Sequence, residues 1–460
     1  MSIFSVLLAL LIFGVLIFIH ELGHFLVARA FGVKILEFSI GMGPKVFSKT
    51  SQKSGTQYSL RIFPIGGYVS MYGESGMDLV QGTSSENTEY LQKNTENTKK
   101  NEVLQPIDPE LSKQAYCNKS VWVRILISLA GPLMNLLLGF VLMFVLVLSA
   151  GRGSVATTKV AGFYVVYQAE DSDTGFQDGD YLYALKTESG EEERIRSLEQ
   201  LRNAVRESPN GTVTVTVLRL NEAQTQTIDP LPEITVSLND DLIDRYFQTS
   251  LSSSTGLRQD DVILKVNRTS VHTYAELSYE IMNQGYRPMT LTVLRNGEKV
   301  ILEGVVVPTY LANGIAFGDI DFIPYGERNF NFGTVMKHTW YRSISTVKMI
   351  YDSIKGLMTR RYGFESVSGP IGITKTISDV AKSGQRLNLL YLVIVITINL
   401  GVMNLLPLPA LDGGHLLLYV IEAIRRKPIP REVEGMINFI GLLLILILAI
   451  VIAVKDVISL

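Results

Sequence analysis

The chain has 460 residues, of which 47% are hydrophobic and only 19% are charged. A typical soluble domain carries about 25% charged residues, so this composition argues against a purely soluble globular protein. The formal net charge of −2 produces no large single-sign field, which argues against nucleic-acid binding. One cysteine, Cys117, excludes an intramolecular disulfide.

Four runs without Asp, Glu, Lys or Arg contain much of the hydrophobicity. They cover residues 3–19, 125–151, 387–411 and 436–454. A helix needs about 20 apolar residues to cross about 30 Å of hydrocarbon, so each run predicts one membrane span. The first run lacks a basic n-region and continues past His20 without a small-residue cleavage site. This favours a retained helix over a signal peptide.

Basic residues in short flanks mark the cytoplasmic side of a membrane protein. They follow the first run and separate the last two runs, at Lys34, Lys45, Lys49, Arg61, Arg425, Arg426, Lys427 and Arg431. We therefore expect both termini and the stretch 152–386 on the outer side. The carboxyl end of the first helix is then on the cytoplasmic side.

The first helix contains the sequence His20-Glu21-Leu22-Gly23-His24. Residues four apart share one face of a helix, so His20 and His24 can bind one metal while Glu21 holds a water molecule on it. A zinc site of this kind needs a third protein ligand and an open position. A chance match in a buried helix is the alternative, but ionisable residues inside a span are costly unless they pair or bind something.

The region 33–83 after this helix contains a β-prone stretch at 57–73. We interpret it as two strands around a turn at Pro64-Ile65-Gly66-Gly67. An edge strand here would offer unpaired backbone groups to an extended substrate, with Gly66, Gly67 and Tyr68 as candidate substrate-binding residues. An ordinary surface hairpin is the alternative. The next segment, 84–120, is rich in Asn, Thr, Glu and Lys and predicts a flexible polar insertion.

The outer region contains a diverged internal repeat. GFQDGDYL at 175–182 matches GLRQDDVI at 256–263, and VTVTVLR at 213–219 matches MTLTVLR at 289–295. Each copy predicts a turn, a strand, an amphipathic helix and a second strand, in two small α+β modules at 155–235 and 236–310. This order resembles PDZ domains of the bacterial protease-associated type, in which a groove accepts an extended peptide by β-strand addition.

The segment 328–362 predicts an amphipathic helix. Apolar residues recur at helical spacing from Phe332 to Leu357, and the other face is mostly basic. A basic amphipathic helix with aromatic side chains on its apolar face is typical of a helix that lies along a lipid bilayer. Packing against the soluble modules is the alternative.

The third metal ligand should come from another span. Asp412 ends the third run, in NLLPLPALDGGH at 404–415. Pro407 and Pro409 should break the helix there, and broken backbone at membrane depth is tolerated only where it lines a cavity or is buried in protein. His415 is a rival ligand, but we favour Asp412. We expect Gly413 and Gly414 to let the chain turn closely past the metal.

HELGH in the first span, GPLMN at 131–135 in the second and NLLPLPALDGGH after the third resemble the motifs of the site-2 protease family. The resemblance is specifically to the bacterial membrane metalloproteases that activate sigma factors, and it covers all four spans and both modules. It implies an α-helical polytopic protein with a site-2 protease core of four transmembrane helices and two PDZ-like domains inserted on the outer side. The corresponding segments are 1–32, 121–151, 387–415 and 435–455, with a membrane-associated β-hairpin at 57–73. The polar insertion at 84–120 departs from the pattern.

The resemblance assigns zinc to His20, His24 and Asp412, the general base to Glu21 and a substrate contact to Asn404. It implies a zinc metalloendopeptidase of the bacterial inner membrane that cuts single-pass membrane proteins within the bilayer. Pre-cleaved anti-sigma factors and remnant signal peptides are the substrates it suggests. The alternative from a different class is a membrane-anchored peptide-binding protein with a structural or degenerate metal site. A metal transporter is disfavoured because the spans carry too few further ligands for a relay.

Overall fold

The computed structural model of this chain describes residues 3–74, 109–151, 155–168, 174–186, 192–219, 231–312, 315–327, 329–382 and 384–458. Contacts divide the chain into two units, Met1–Leu146 with Thr346–Leu460, and Val147–Ser345. We call the first the helical unit and the second the sheet unit. Residues 84–108 of the predicted polar insertion lie outside the described part of the chain.

Four helices are long and apolar enough to cross a membrane among the described residues, which agrees with the four predicted spans. They are α1 (Ile3–Ala30), α3 (Val121–Ala150), α10 (Arg386–Leu405) and α12 (Arg431–Ile458). The third predicted run extends to 411, but α10 ends at Leu405 because Pro407 and Pro409 cannot donate the next backbone hydrogen bonds. Large apolar side chains along α12 are exposed, as expected of a helix that faces lipid.

The other helices are α2 (Pro109–Lys113), α4 (Leu198–Glu207), α5 (Asp240–Tyr246), α6 (Leu251–Ser254), α7 (Tyr274–Met282), α8 (Phe332–Met358), α9 (Pro370–Lys382) and α11 (Asp412–Arg425). Several begin at side chains that satisfy free backbone amides. The Thr273 hydroxyl accepts a hydrogen bond from the Glu276 amide, and the Glu276 carboxylate accepts one from the Thr273 amide, which completes a capping box at the start of α7. Helix α8 covers most of the predicted amphipathic segment at 328–362.

The β-sheet of the helical unit differs from the predicted hairpin at 57–73. Residues Gln57–Met71 form one strand, β2, which pairs antiparallel with β1 (Ile35–Thr50). Ser39 lies opposite Ser59 on one side and Tyr68 on the other, so β1 separates the two halves of β2. The Pro-Ile-Gly-Gly segment therefore carries β2 from one side of β1 to the other. Local propensity identifies the strand-forming residues, but the expected hairpin between the two halves is wrong, because each half pairs with β1 instead.

The sheet unit contains two six-stranded sheets. The first sheet has the order β8 (Glu233–Ser237), β7 (Thr212–Leu218), β5 (Tyr181–Lys186), β4 (Val165–Tyr167), β9 (Phe247–Thr249), with β6 (Glu192–Arg194) beside β5. The second has the order β13 (Glu298–Val305), β12 (Met289–Arg295), β10 (Val262–Val266), β3 (Ala156–Phe163), β16 (Phe322–Gly326), with β11 (Thr269–Ser270) beside β10. A separate ribbon pairs β14 (Thr309–Ala312) with β15 (Ile315–Gly318).

This topology corrects the two consecutive modules expected at 155–235 and 236–310. Strand β3 precedes the first sheet in the chain but belongs to the second, and β16 lies beyond residue 310. The first module is therefore inserted within the second. The repeat could not show this arrangement because β3 and β16 lie outside the repeated segments, and long-range strand pairing leaves no local pattern.

Candidate metal centre

Helix α1 brings the first two predicted ligands together. His20 and His24 are one helical turn apart, both are buried, and their Nε2 atoms lie 3.3 Å apart. The Oδ2 atom of Asp412 lies 3.0 Å from His20 Nε2 and 3.4 Å from His24 Nε2. Among the described residues, these three side chains form the group whose ligand atoms all lie within 4.8 Å of one another.

The turn before α11 positions Asp412. Helix α10 stops at Leu405 and α11 starts at Asp412, so the carboxylate sits in the first turn of a helix, where the helix dipole favours a negative charge. The Ser128 hydroxyl donates a 3.0 Å hydrogen bond to the Asp412 carbonyl oxygen. A Cβ on Gly413 would lie 2.1 Å from the Leu406 carbonyl oxygen, and one on Gly414 would lie 2.3 Å from that of Leu408. The two glycines thus allow close packing against the proline-rich loop.

Polar contacts at the Nδ1 atoms, which point away from the cluster, orient both imidazoles. His24 Nδ1 lies 2.8 Å from the Ile127 carbonyl oxygen, which can only accept, so Nδ1 carries the proton and the Nε2 lone pair is available to a metal. The Asn135 amide lies 3.2 Å from His20 Nδ1 and is fully buried. The amide nitrogen faces His20, and the amide oxygen has no partner in the described part of the chain. Rotating the amide by 180° lets Oδ1 accept from His20 Nδ1, and the amide nitrogen then takes the place where the oxygen has no partner.

Two small residues let α3 approach the histidines. A Cβ at Gly131 would lie 2.2 Å from His24 Nε2 and 2.8 Å from His20 Nε2. A Cβ at Gly23 would lie 2.4 Å from the Ala130 carbonyl oxygen. GPLMN at 131–135 therefore contributes the space for the imidazoles through Gly131 and a hydrogen-bond partner through Asn135. The sequence alone reveals neither role, although the polar residue Asn135 within an apolar run is a usable signal.

The cluster opens into a cavity of about 210 Å³. Glu21 lines it beside the two histidines, and so do Tyr68 and Val69 of β2. A Cβ at Gly67 would lie 3.0 Å from Glu21 Cγ, so a glycine here lets the strand pass next to the predicted base. The cavity is large enough to hold several water molecules.

The other residues predicted for the site, as substrate contacts or as a rival ligand, differ in whether they line the cavity. Tyr68 lines the cavity, and Gly66 adopts a φ of +91° at the bend of β2. Asn404 lies half-buried in the last turn of α10 and is not among the described residues that line the cavity. His415, the rival ligand, lines the cavity but faces Glu434 at 3.2 Å and Asn438 at 3.3 Å.

A buried polar pair closes one side of the cavity. The Tyr116 hydroxyl donates a 3.0 Å hydrogen bond to the Tyr419 hydroxyl, and both residues line the cavity. Burial raises the pKa of Tyr116, which keeps its hydroxyl protonated and able to donate. Sequence reasoning missed this pair, because two tyrosines 303 positions apart give no local signal.

Four helices long and apolar enough to cross a membrane fit a polytopic membrane protein. Two histidines and one carboxylate form a donor set that could hold a catalytic metal ion. The family model of peptidase family M50 matches residues 8–448, and the chain belongs to this family.

Several curated proteins are similar over nearly their whole length. The regulator of sigma-W protease RasP of Bacillus subtilis is 28% identical, over 98% of this chain and 98% of its own. The zinc metalloproteases RasP of Bacillus licheniformis and Geobacillus kaustophilus are each 28% identical, over 98% of this chain and 98% and 97% of their own.

Proposed function

We propose that this protein is an intramembrane zinc metalloendopeptidase that uses His20, His24 and Asp412 as ligands. The observation that carries the proposal is the cluster itself, in which three ligand atoms from α1 and α11 lie within 4.8 Å of one another. The donor set fits zinc, since two neutral imidazoles and one carboxylate leave a fourth position open. The names of the RasP relatives, which are zinc metalloproteases, support the same choice.

Glu21 is the proposed general base. It lies next to His20 in α1 and lines the same cavity. When bound here, zinc would supply Lewis-acid chemistry that acidifies water and polarises a peptide carbonyl. The Glu21 carboxylate would accept the proton of the attacking water and later deliver it to the leaving nitrogen.

The second half of β2 is the proposed substrate-holding strand. A helical substrate shields its peptide carbonyls, so it must be drawn out as an extended chain before attack. Residues 67–71 pair with β1, and Tyr68 and Val69 also line the cavity, which places strand backbone beside Glu21. Backbone pairing along this strand would align the substrate without depending on its sequence. Gly66 would contribute by shaping the bend, and we retain Asn404 as a proposed contact from α10.

Replacing Glu21 by Gln tests the mechanism. Cleavage of a membrane-spanning reporter in vesicles should be abolished while zinc content stays at one per chain, because Gln cannot accept the proton and the three ligands remain. The control Glu432→Gln makes the same change at an exposed residue in the first turn of α12 and should leave the rate unchanged. Full activity of Glu21→Gln would refute the proposed base.

We further propose substrates of the anti-sigma-factor or remnant-signal-peptide type, shortened on the outer side before the intramembrane cut. The printed name of the Bacillus subtilis relative, regulator of sigma-W protease, supports the first of these. In this proposal the protein lies in the bacterial inner membrane with its active site toward the cytoplasm. The two modules of the sheet unit, proposed to be PDZ-like and outside, would exclude uncut substrates that carry bulky outer domains.

Deleting residues 155–327 tests this size filter. The deletion should extend to 327 rather than to 310, because β16 pairs with β3 and would lose its partner strand. The shortened protein should cleave an uncut substrate that the full chain leaves intact, as measured by the appearance of the intramembrane fragment. Retained activity on the shortened substrate is the control for folding, and continued resistance of the uncut substrate would contradict the filter.

A further inference from the structure

A second cavity of about 370 Å³ lies between α1 and the β1–β2 sheet. Phe18, Leu22 and Phe25 of α1 form one wall, and Phe38, Phe47 and Leu60 of the sheet form another. None of the residues that line it is charged. We call it the α1–sheet pocket.

Aromatic rings form the floor of this pocket. The Phe25 ring lies 5.1 Å from that of Phe38 and 6.1 Å from that of Tyr58, and the Phe18 ring lies 6.0 Å from that of Phe38. Phe25 and Phe38 are buried, whereas Phe47 is 62% exposed and Leu60 is 47% exposed. The pocket is thus a preformed apolar slot whose outer wall has no protein cover in the described structure, and such a slot in water would be costly.

The pocket does not belong to the metal centre. Phe18, Leu22 and Phe25 follow one another at spacings of four and three, which places them on one face of α1. At 100° per residue, His20 and His24 lie on the opposite face. A peptide that reaches the metal ligands therefore cannot place a side chain in this pocket without passing around the helix.

Basic residues stand at one end of the pocket. Arg29 continues the same face of α1 one turn beyond Phe25, and its guanidinium carbon lies 6.0 Å from the Phe25 ring. Lys49 lies opposite Tyr58 on the sheet face that carries Phe47, two residues away. Both basic side chains are exposed.

The depth of the pocket matches a lipid chain. Phe18 and Arg29 are eleven residues apart, or roughly 16 Å along the helix axis, which is about half the hydrocarbon thickness of a bilayer. Arg29 lies at the carboxyl end of a span-length helix, where a membrane surface would be. Lys49 lies opposite Tyr58, whose ring is 6.1 Å from that of Phe25, so it belongs to the same end of the pocket.

We propose that the α1–sheet pocket binds one acyl chain of an anionic phospholipid, whose phosphate group is held by Arg29 and Lys49. Charge complementarity favours an anionic lipid, and the uncharged lining together with the depth favours its acyl chain over a peptide. A lipid bound here would brace the sheet against the back of the helix that carries His20 and His24.

The test uses the full-length protein in phosphatidylcholine vesicles. Trace phosphatidylglycerol or phosphatidylcholine with a photoreactive group in the acyl chain is crosslinked, and the labelled peptides are mapped by mass spectrometry. The phosphatidylglycerol probe should label residues 18–25 and 38–60 more than the phosphatidylcholine probe does, with each basic residue contributing on the order of fivefold. Equal labelling by the two probes, or labelling no denser there than on α12, would overturn the proposal.

Variants separate the two halves of the site. Arg29→Gln with Lys49→Gln should reduce phosphatidylglycerol labelling of the pocket to the level of phosphatidylcholine, whereas Lys427→Gln, which removes a charge after α11, should not. Leu60→Trp should fill the pocket and suppress labelling by both probes, whereas Ile62→Trp changes an exposed residue outside the lining and should not. Unchanged labelling in Leu60→Trp would also overturn the proposal, as would protection of the pocket by a second copy of the chain.

Discussion

Asn135 can fix the tautomer of His20 and so make the Nε2 lone pair available to a metal. An imidazole that binds a metal through Nε2 must carry its proton on Nδ1, and that proton needs an acceptor. The buried Asn135 amide is the group next to His20 Nδ1, at 3.2 Å. His24 is oriented in the same way by a backbone carbonyl, which substitution cannot remove, so Asn135 is the point at which the ligand set can be tested by mutation.

Replacing Asn135 by Ala should weaken zinc binding by about 10- to 100-fold, because His20 loses the partner that fixes its tautomer. Competition with a chelator measures this affinity without any activity assay. Asn135→Asp should restore most of the affinity, since a carboxylate also accepts from Nδ1. Asn388→Ala, at a residue in the exposed first turn of α10, is the control and should bind zinc normally. If Asn135→Ala bound zinc with wild-type affinity, Asn135 would have no role in orienting His20.

Among the structural elements, the loop between α10 and α11 shows how prolines that end a helix also position a candidate metal ligand, Asp412. Pro407 ends the hydrogen-bonding pattern of α10, and Ala410 takes a φ of +68°, which is unusual for a residue with a Cβ. A Cβ at Gly441 of α12 would lie 2.2 Å from the Pro409 Cβ, so α12 packs directly on this loop. The prolines predict the break, but the packing that holds Asp412 in place involves α12, which begins only at Arg431.

The two repeats share one buried ion pair at equivalent positions. Arg219 donates two hydrogen bonds to Asp180, at 2.8 and 2.6 Å, and one to the Gly175 carbonyl oxygen. Arg295 makes the same three contacts with Asp261 and Gly256. The sequence match pairs Asp180 with Asp261 and Arg219 with Arg295. The same contacts in both copies are structural support for a duplication, in addition to the sequence match.

Replacing Arg219 by Met should destabilise the first module by about 3–5 kcal/mol, since Asp180 is buried and would keep an uncompensated charge. The control is Arg206→Met, whose partner Asp240 is exposed. An exposed pair contributes at most about 1 kcal/mol, so this variant should unfold at nearly the wild-type urea concentration. Urea unfolding of the full-length protein in detergent, followed by the β-sheet circular dichroism signal, compares the two. Equal urea midpoints for the two variants would contradict a stabilising role of the buried Arg219–Asp180 pair.

At the scale of the whole molecule, the sheet unit buries an acid that opposes folding at neutral pH. Asp321, next to β16, is fully buried and accepts a 2.9 Å hydrogen bond from the Ser252 amide, while its Oδ1 has no partner among the described residues. Burial raises the pKa of Asp321 to about 6. The folded protein therefore holds this proton at a pH where the unfolded chain has lost it, and stability falls as the pH rises from about 4 to about 6.

Acidification from pH 7.5 to pH 5 should thus relieve part of the cost of ionising Asp321, by roughly 1 kcal/mol. Asp321→Asn still accepts the hydrogen bond from Ser252 but has no carboxyl group to ionise, so its stability should not depend on this titration. The variant should therefore exceed the wild type in urea midpoint at pH 7.5, and the difference should shrink on acidification as the wild type gains stability. Asp178→Asn, at an exposed residue, should show no such change. A difference for Asp321→Asn that stays constant with pH would show that the group is already neutral or already ionised throughout.

The sequence by itself determined the number of span-length helices, the family, and the metal-ligand candidates. It could do so because charge-free runs, HELGH on one helix and a proline-broken LDGG segment are local patterns with direct physical consequences. The tertiary structure alone decided the partner of β2, the insertion of one module within the other, and the contacts of Asn135 and Gly131 with the histidines. Each of these depends on segments far apart in the chain, and such pairings are set by packing and buried hydrogen bonds, which leave no periodic trace in the residues themselves.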